Sequence, residues 1–310
     1  MHHGQEIFSF FYIYGYEGLL GIILSSILIT IIIYKTLIIS KKYNIKNYDE
    51  LLNKTIKKKI IKNLIKLIIN TFLIISFYIM VAGFTAFFQQ QFNFNKMITA
   101  IIFCIFCYLI FNKNIEKIIK INTILIPIII IIFLIFGIKN INYINDEKII
   151  RYKNNWIISS ILYTSYNTIT LIGLTSIMYK YLKTKKEYLK VAIFTGIIIL
   201  VIATIIFLLL VNMEENIEIP ILYISNFFGG IYKYLYGILI LIAIFTTAIS
   251  EGYTFLQNIS KGRKRKVMNI LMCITAIPIS SLGFSNLVNK IYPVFGIIGL
   301  LQIIFILNTN

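Results

Sequence analysis

The chain is a succession of apolar blocks, each of about the length that carries a helix across a lipid bilayer. Nine of them occupy 18–39, 64–92, 96–111, 118–138, 156–181, 189–211, 231–256, 267–283 and 290–307. A hydrocarbon core roughly 30 Å thick takes about 20 helical residues. No polar stripe runs through these blocks, so a water-facing fold has no way to house them. Charged residues make up only 14% of the 310, and 58% are hydrophobic; a soluble domain carries about 25% charged residues. Lipid offers no hydrogen-bond partner, so each block must satisfy its own backbone as a helix. The reading is an all-α membrane protein with a single transmembrane domain over 1–310. A further apolar segment, 5–14, is too short to cross: about ten residues rise only about 15 Å. It lacks the basic leader and continuous apolar stretch of a signal peptide. It is a half-helix, an interfacial segment or the remnant of a longer helix.

The net charge of +18 would suggest a nucleic-acid partner in a soluble protein. Here Lys and Arg avoid the blocks and gather between them, which is topological information; no nucleic-acid partner is expected. Lys41 to Lys62, Lys113 to Lys120, Lys180 to Lys186 and Lys261 to Lys266 form basic links. They alternate with neutral or acid-bearing links at Gln89 to Asn95, Lys139 to Asn155, Asn212 to Asn226 and Ser285 to Asn289. The positive-inside rule places every basic link and the C-terminus in the cytoplasm of a cell-membrane protein. Glu214, Glu215 and Glu218 then lie outside. The stretch 44–62 sets Ile45, Leu51, Leu52, Ile56 and Ile60 against lysines, as expected of a helix lying on the anionic inner leaflet. Ile217 to Phe228 reads as a similar surface helix on the other side.

Polar groups inside the blocks mark cavities or tight helix contacts. Two carboxylates, Glu6 and Glu251, lie within apolar surroundings. The block 231–256 also carries Ala243, Thr246, Thr247 and Ser250. Residues three and four apart share a helix face, so the Ala243 carbonyl and the Thr246 and Thr247 hydroxyls could offer hard oxygens to a sodium ion. Packing explains the same hydroxyls, which can bond their own preceding carbonyls. The block 156–181 has a polar centre, Tyr163, Thr164, Ser165, Tyr166, Asn167 and Thr168, followed by Thr170 and Gly173. It is expected to be unwound or cavity-lining, the alternative being a polar patch between helices. Ser76, Tyr78, Gly83 and Thr85 of the block 64–92 could face the same cavity or pack between helices. Cys104, Cys107 and Cys273 sit in apolar blocks and read as buried free thiols. No phosphate loop or zinc-protease motif occurs, and His2 and His3 are terminal; no enzymatic activity and no cofactor is expected, beyond Na⁺ as a coupling ion.

The stretches Gly4 to Phe11 (GQEIFSFF), Gly15 with Gly18 to Ile22, Tyr163 to Gly173 (YTSYNTITLIG), Phe245 to Ser250 (FTTAIS) and Tyr292 to Leu300 (YPVFGIIGL) resemble the YkvI-type membrane proteins. These are bacterial relatives of the amino acid–polyamine–organocation transporters. The resemblance implies a LeuT-like bundle of two inverted five-helix repeats, with the first and sixth helices broken at the midplane. On that template 5–14 is the outer half of the first helix and 156–181 the broken sixth. The block 231–256 is the eighth, where Ala243, Thr246 and Thr247 match an ion-binding pattern. Met1 to His3 stand where the family carries a glycine-bearing inner half of the first helix, so that helix is expected to lack its inner half. The implied function is cation-coupled secondary transport of a small amino-acid-like or amine/organic solute, sodium ahead of protons. Gly4, Gln5, Glu6, Tyr78, Gly83, Tyr163, Ser165, Tyr166 and Asn167 would contact solute. Glu6 and Glu251 would be the proton-linked groups if coupling is to H⁺. The competing expectation is a non-transporting membrane receptor or assembly subunit retaining the bundle. The lipid bilayer and a small solute are the expected partners; oligomeric state is not specified.

Overall fold

A computed structural model describes residues 4–45, 48–112, 154–210, 230–259 and 262–309, with a few helical positions between 124 and 135. Helix α1 (Gln5–Ile7) passes into a π-helical turn, Phe8–Tyr12. There follow α2 (Tyr16–Lys42), α3 (Tyr48–Thr55), α4 (Lys59–Phe92) and α5 (Lys96–Phe111). Beyond them lie α6 (Trp156–Met178, ending in the 3-10 turn Tyr179–Tyr181), α7 (Lys185–Leu210), α8 (Gly230–Ile259), α9 (Arg263–Ser280) and α10 (Phe284–Leu307). No strand occurs among the described residues. Helices α2, α4, α7 and α10, with the Gly237–Ile259 part of α8, are long and apolar enough to cross a membrane. Most of the block 118–138, the links Lys113 to Lys120 and Asn212 to Asn226, most of the link Lys139 to Asn155, the surface helix expected at Ile217 to Phe228, the acidic run Glu214 to Glu218, His2, His3 and the side chain of Thr170 lie outside the described residues.

Three expectations are corrected. Helix α6 is not unwound: Trp156–Met178 is continuous α-helix. Three of its central polar side chains bond back to their own helix. Ser165 Oγ donates to the Ile161 carbonyl at 2.7 Å, Asn167 Nδ2 to Tyr163 at 2.9 Å and Thr168 Oγ1 to Ser165 at 3.0 Å. The irregular backbone lies instead at Phe8–Tyr12, where the Ile13 amide reaches five residues back to the Phe8 carbonyl at 3.2 Å. Secondly, 44–62 does not lay its apolar face on lipid. Helix α3 has eight residues, and Ile45, Leu51, Leu52 and Ile56 are buried in the protein, whereas Ile60 is 81% exposed. Tyr48 accepts a hydrogen bond from Gln302 Nε2 at 2.6 Å, and Tyr179 donates to Asn44 Oδ1 at 2.9 Å. Thirdly, Ser285 to Asn289 is no link but the opening of α10.

The chain divides into two compact units. Unit 2 comprises Ile7–Ile69, Ile149–Phe207 and Lys290–Asn310. Its helices meet through small residues, the usual means of close approach in a membrane. A Cβ on Gly18 would stand 2.0 Å from the Phe11 carbonyl oxygen, and one on Gly21 2.7 Å from Ser160 Oγ. Gly196 of α7 lies against Thr30 of α2, and Gly296 and Gly299 of α10 lie against the Leu162 and Ser165 backbone of α6. Beside these contacts Ile33, Leu37, Ile45, Leu51, Ile172, Tyr188 and Ile303 share one apolar core, which is where α3 docks.

Unit 1 comprises Met1–Glu6, Asn70–Lys148 and Leu208–Asn289. Here α4 and α8 run antiparallel in a register fixed at four points. Asn258 Nδ2 donates to Asn70 Oδ1 at 2.9 Å. Phe77 covers Gly252, Ile244 covers Gly83, and Phe87 covers Gly237, each within 3.5 Å of where a Cβ would be. Helix α5 packs on α9, with Asn269 Nδ2 donating to the Tyr108 carbonyl at 3.3 Å. Cys104, Cys107 and Cys273 are buried free thiols.

The start of α7 is a capping box. The Glu187 amide donates to Thr184 Oγ1 at 3.2 Å, while the Glu187 carboxylate accepts from the Lys183 amide at 2.8 Å. That amide bond, then the Thr184 hydroxyl, hold the Glu187 carboxyl below its ordinary range. A lowered folded-state pKa means the cap is complete above the unfolded value, about 4.3, and is lost as pH falls through the folded one. Hydrogen exchange at 183–188, corrected for intrinsic rates, is expected to lose protection on acidification in wild type. In Glu187→Gln it should show no such acid step. Gly18→Ala and Gly299→Ala, which drive a methyl into backbone at 2.0 and 2.6 Å, are expected to cost about 1–3 kcal/mol each. Gly173→Ala, with its nearest neighbour at 3.6 Å, should be close to neutral in the same detergent melting series.

Candidate functional site

Ser76 of α4 and Glu251 of α8 meet, with the serine hydroxyl directed at the carboxylate. The two side chains are neighbours. Ser76 is 1% exposed. Its Oγ and Glu251 Oε2 are both sealed from solvent. Glu6, also 1% exposed, lies close enough for its charge to act on Glu251. Placing two carboxylates together at membrane depth is costly unless a proton, a cation or a donor accompanies them.

The neighbouring Gln5 is held firmly. Its Nε2 donates to Ser285 Oγ at 2.9 Å and to Asn289 Oδ1 at 3.1 Å, and Asn289 Nδ2 donates to Ser285 Oγ at 3.3 Å. Gly4 before it has φ +81°, a left-handed conformation that costs glycine nothing. Gly4, Gln5, Glu6 and Glu251 thus belong to one unit, with Ser76 among them. Sequence reasoning passed over Ser285 and Asn289, although their i, i+4 spacing marks one helix face; the short polar run around them read as a link. Tyr78 and Gly83, expected at the solute, serve packing. The Tyr78 hydroxyl shares a 2.7 Å hydrogen bond with Thr275 of α9, and Gly83 lies under the Phe284 ring.

The candidate ion ligands lie higher on α8. Thr246 Oγ1 donates to the Ala243 carbonyl at 3.1 Å, and Ser250 Oγ to the Thr246 carbonyl at 2.7 Å. Ala243 and Thr246 are buried and Thr247 is half-buried. The hydroxyl protons are spent inside the helix, while the lone pairs of Thr246 remain available as acceptors.

In unit 2 the expected solute residues are packed by aromatic rings. Tyr163 and Tyr166 are each 2% exposed. Phe11 meets Tyr163 at 4.7 Å, Phe10 meets Tyr166 at 5.4 Å, and Tyr292 stacks on Tyr166 at 4.7 Å. Ser165 and Asn167 bond back to their own helix. Ser159, absent from the sequence-based assignment, donates from Oγ to the Phe10 carbonyl at 2.7 Å. It satisfies an acceptor in the π turn that the regular ladder leaves open. Two open depressions are lined by Glu17 with Asn154 to Ile158, and by Ile259, Arg263, Lys264, Val267 and Met268; neither touches an expected solute or ion residue.

No family model matches the chain. It is similar to the uncharacterized membrane protein YkvI of Bacillus subtilis, with 23% identity over 313 aligned residues, covering 96% of this chain and 88% of that protein. The similarity runs nearly end to end and agrees with the helices: this is a membrane protein with several apolar helices.

Ser159→Ala removes the donor to Phe10 and leaves a buried carbonyl open. A loss of about 1 kcal/mol is expected, within the range of interhelical hydrogen bonds in membranes. Measured against wild type by reversible SDS unfolding, it should exceed the loss for Thr254→Ala, whose hydroxyl only returns to its own helix.

Proposed function

We propose that the protein is a cation-coupled secondary transporter of the plasma membrane. It moves a small amino-acid-like or amine/organic solute by alternating access and performs no enzymatic step. The basic links and the C-terminus face the cytoplasm, by the positive-inside rule. Two inverted five-helix repeats are the architecture that goes with this reading. The irregular first segment, α1 passing into the π turn at Phe8–Tyr12, suits an interrupted first helix.

The observation that carries the proposal is the buried group formed by Glu6, Glu251 and Ser76. Ionisable side chains at membrane depth are rare and mark ion or substrate pathways. Glu6 and Glu251 are the proton-linked candidates, and Ala243, Thr246 and Thr247 the Na⁺ candidates. The solute is assigned to the unit-1 group around Gly4, Gln5 and Glu6, because Tyr163 and Tyr166 are filled by ring packing.

Purified protein in proteoliposomes should accumulate one member of a panel of amino acids, amines and small organic acids under an imposed Na⁺ or pH gradient. If sodium drives uptake, Thr247→Ala abolishes the sodium dependence; if protons do, Glu251→Gln abolishes the response to the pH gradient. Folded, correctly inserted protein that accumulates nothing under either gradient defeats the proposal in favour of a receptor or assembly subunit.

A further inference from the structure

The cationic residues that open α9 divide by what they touch. Arg265 turns into the protein: its guanidinium lies over the Tyr253 ring at 4.5 Å, and Nη2 donates to the Phe111 carbonyl at 3.4 Å. Arg263 and Lys264, in the same first turn, are exposed. Their side chains make no hydrogen bond or ion pair among the described residues. Nor do they serve the helix. Cations in a first turn oppose the helix dipole, and no acidic residue stands in that turn to offset them.

These two cations form one rim of an open depression of about 600 Å³, and the rest of its lining is apolar: Ile259 at the end of α8, with Val267 and Met268 of α9. Charge and apolar surface are stacked along one helix face. Val267 stands four residues beyond Arg263, and Ile270, Leu271 and Ile274 follow Val267 at three, four and seven, so they share its side of the helix. All four are exposed. A single turn, about 5.4 Å, separates unspent positive charge from an apolar stripe that continues into the membrane-length block. A soluble anion would engage the cations and leave the apolar lining unused. A phospholipid engages both, because its phosphate sits just above its acyl chains. A zwitterionic headgroup brings no net charge to the two cations, whereas an anionic one does. Basic pockets on the cytoplasmic side of membrane proteins hold anionic headgroups, and the positive-inside rule assigns this end of α9 to that side.

We infer that the depression between the end of α8 and the start of α9 binds one phospholipid of net negative charge. Its phosphate lies on Arg263 and Lys264, and an acyl chain covers Ile259, Val267 and Met268. The site goes beyond the transporter reading and does not rest on it.

The test is native mass spectrometry of the purified full chain, delipidated in detergent and titrated with phosphatidylglycerol. One saturable adduct is expected, with phosphatidylcholine of the same chains bound about tenfold more weakly. Inorganic phosphate and glycerol phosphate, which carry the charge without the chains, should not displace the lipid. Arg263→Gln combined with Lys264→Gln is expected to weaken phosphatidylglycerol binding about twentyfold, at roughly fivefold for each cation. Lys185→Gln combined with Lys186→Gln removes the same charge from an exposed pair at the start of α7 and should leave the affinity at its wild-type value. Monodispersity in size-exclusion chromatography certifies each variant, and the single substitutions Arg263→Gln and Lys264→Gln decide the matter if the double variant does not fold. Absence of a saturable adduct, equal binding of phosphatidylcholine, or unchanged affinity in the Arg263 and Lys264 variants overturns the site. Displacement by inorganic phosphate overturns it in favour of a soluble anion. An equal loss in the Lys185 and Lys186 variant overturns it in favour of net charge alone.

Discussion

Lipid supplies neither donors nor acceptors, and the rest of this structure follows from that constraint. Every polar atom carried into the apolar zone must find a partner inside the protein, and most find one a single turn away. The centre of α6 illustrates the point. Ser165, Asn167 and Thr168 return their protons to carbonyls three or four residues back, so this polar stretch remains a regular helix. The π turn at Phe8–Tyr12 is the opposite case. There the ladder is irregular, and a side chain from another helix, Ser159, meets an open carbonyl.

Given helices that are satisfied internally, association depends on how closely their backbones approach. In unit 2 glycine stands at the crossings of α2, α6, α7 and α10, and in several of them a methyl group would meet backbone atoms. In unit 1 the α4–α8 pair is fitted by Gly83, Gly237 and Gly252, each under a large side chain. Those contacts fix the register of the two helices.

Each unit houses its remaining polar residues in its own way. In unit 2, Tyr163, Tyr166 and Tyr292 are consumed by ring packing with Phe10 and Phe11. In unit 1, Gln5 is locked to Ser285 and Asn289, and Ser76 meets the buried Glu251 carboxylate. The end-to-end similarity to YkvI of Bacillus subtilis accords with a membrane protein and leaves the chemistry to be argued from such details.

Helix positions were legible in the sequence because hydrophobic length and charge are one-dimensional quantities. The block 96–111 coincides with α5, and the half-length of 5–14 pointed to the irregular Gln5–Tyr12 segment. Glu6 and Glu251 stood out as carboxylates in apolar surroundings. What one dimension cannot hold is the direction in which a side chain spends its hydrogen bonds. A polar centre reads alike whether its hydroxyls line a cavity or return to their own helix, so α6 was misjudged. The amphipathic pattern of 44–62 reads alike whether its apolar face meets lipid or protein. Tertiary packing chose protein, because the ends of neighbouring helices offered an apolar seat and Gln302 and Tyr179 offered hydrogen bonds. The pairing of Ser76 with Glu251 belongs to the same class: residues 175 positions apart meet only once α4 and α8 have packed.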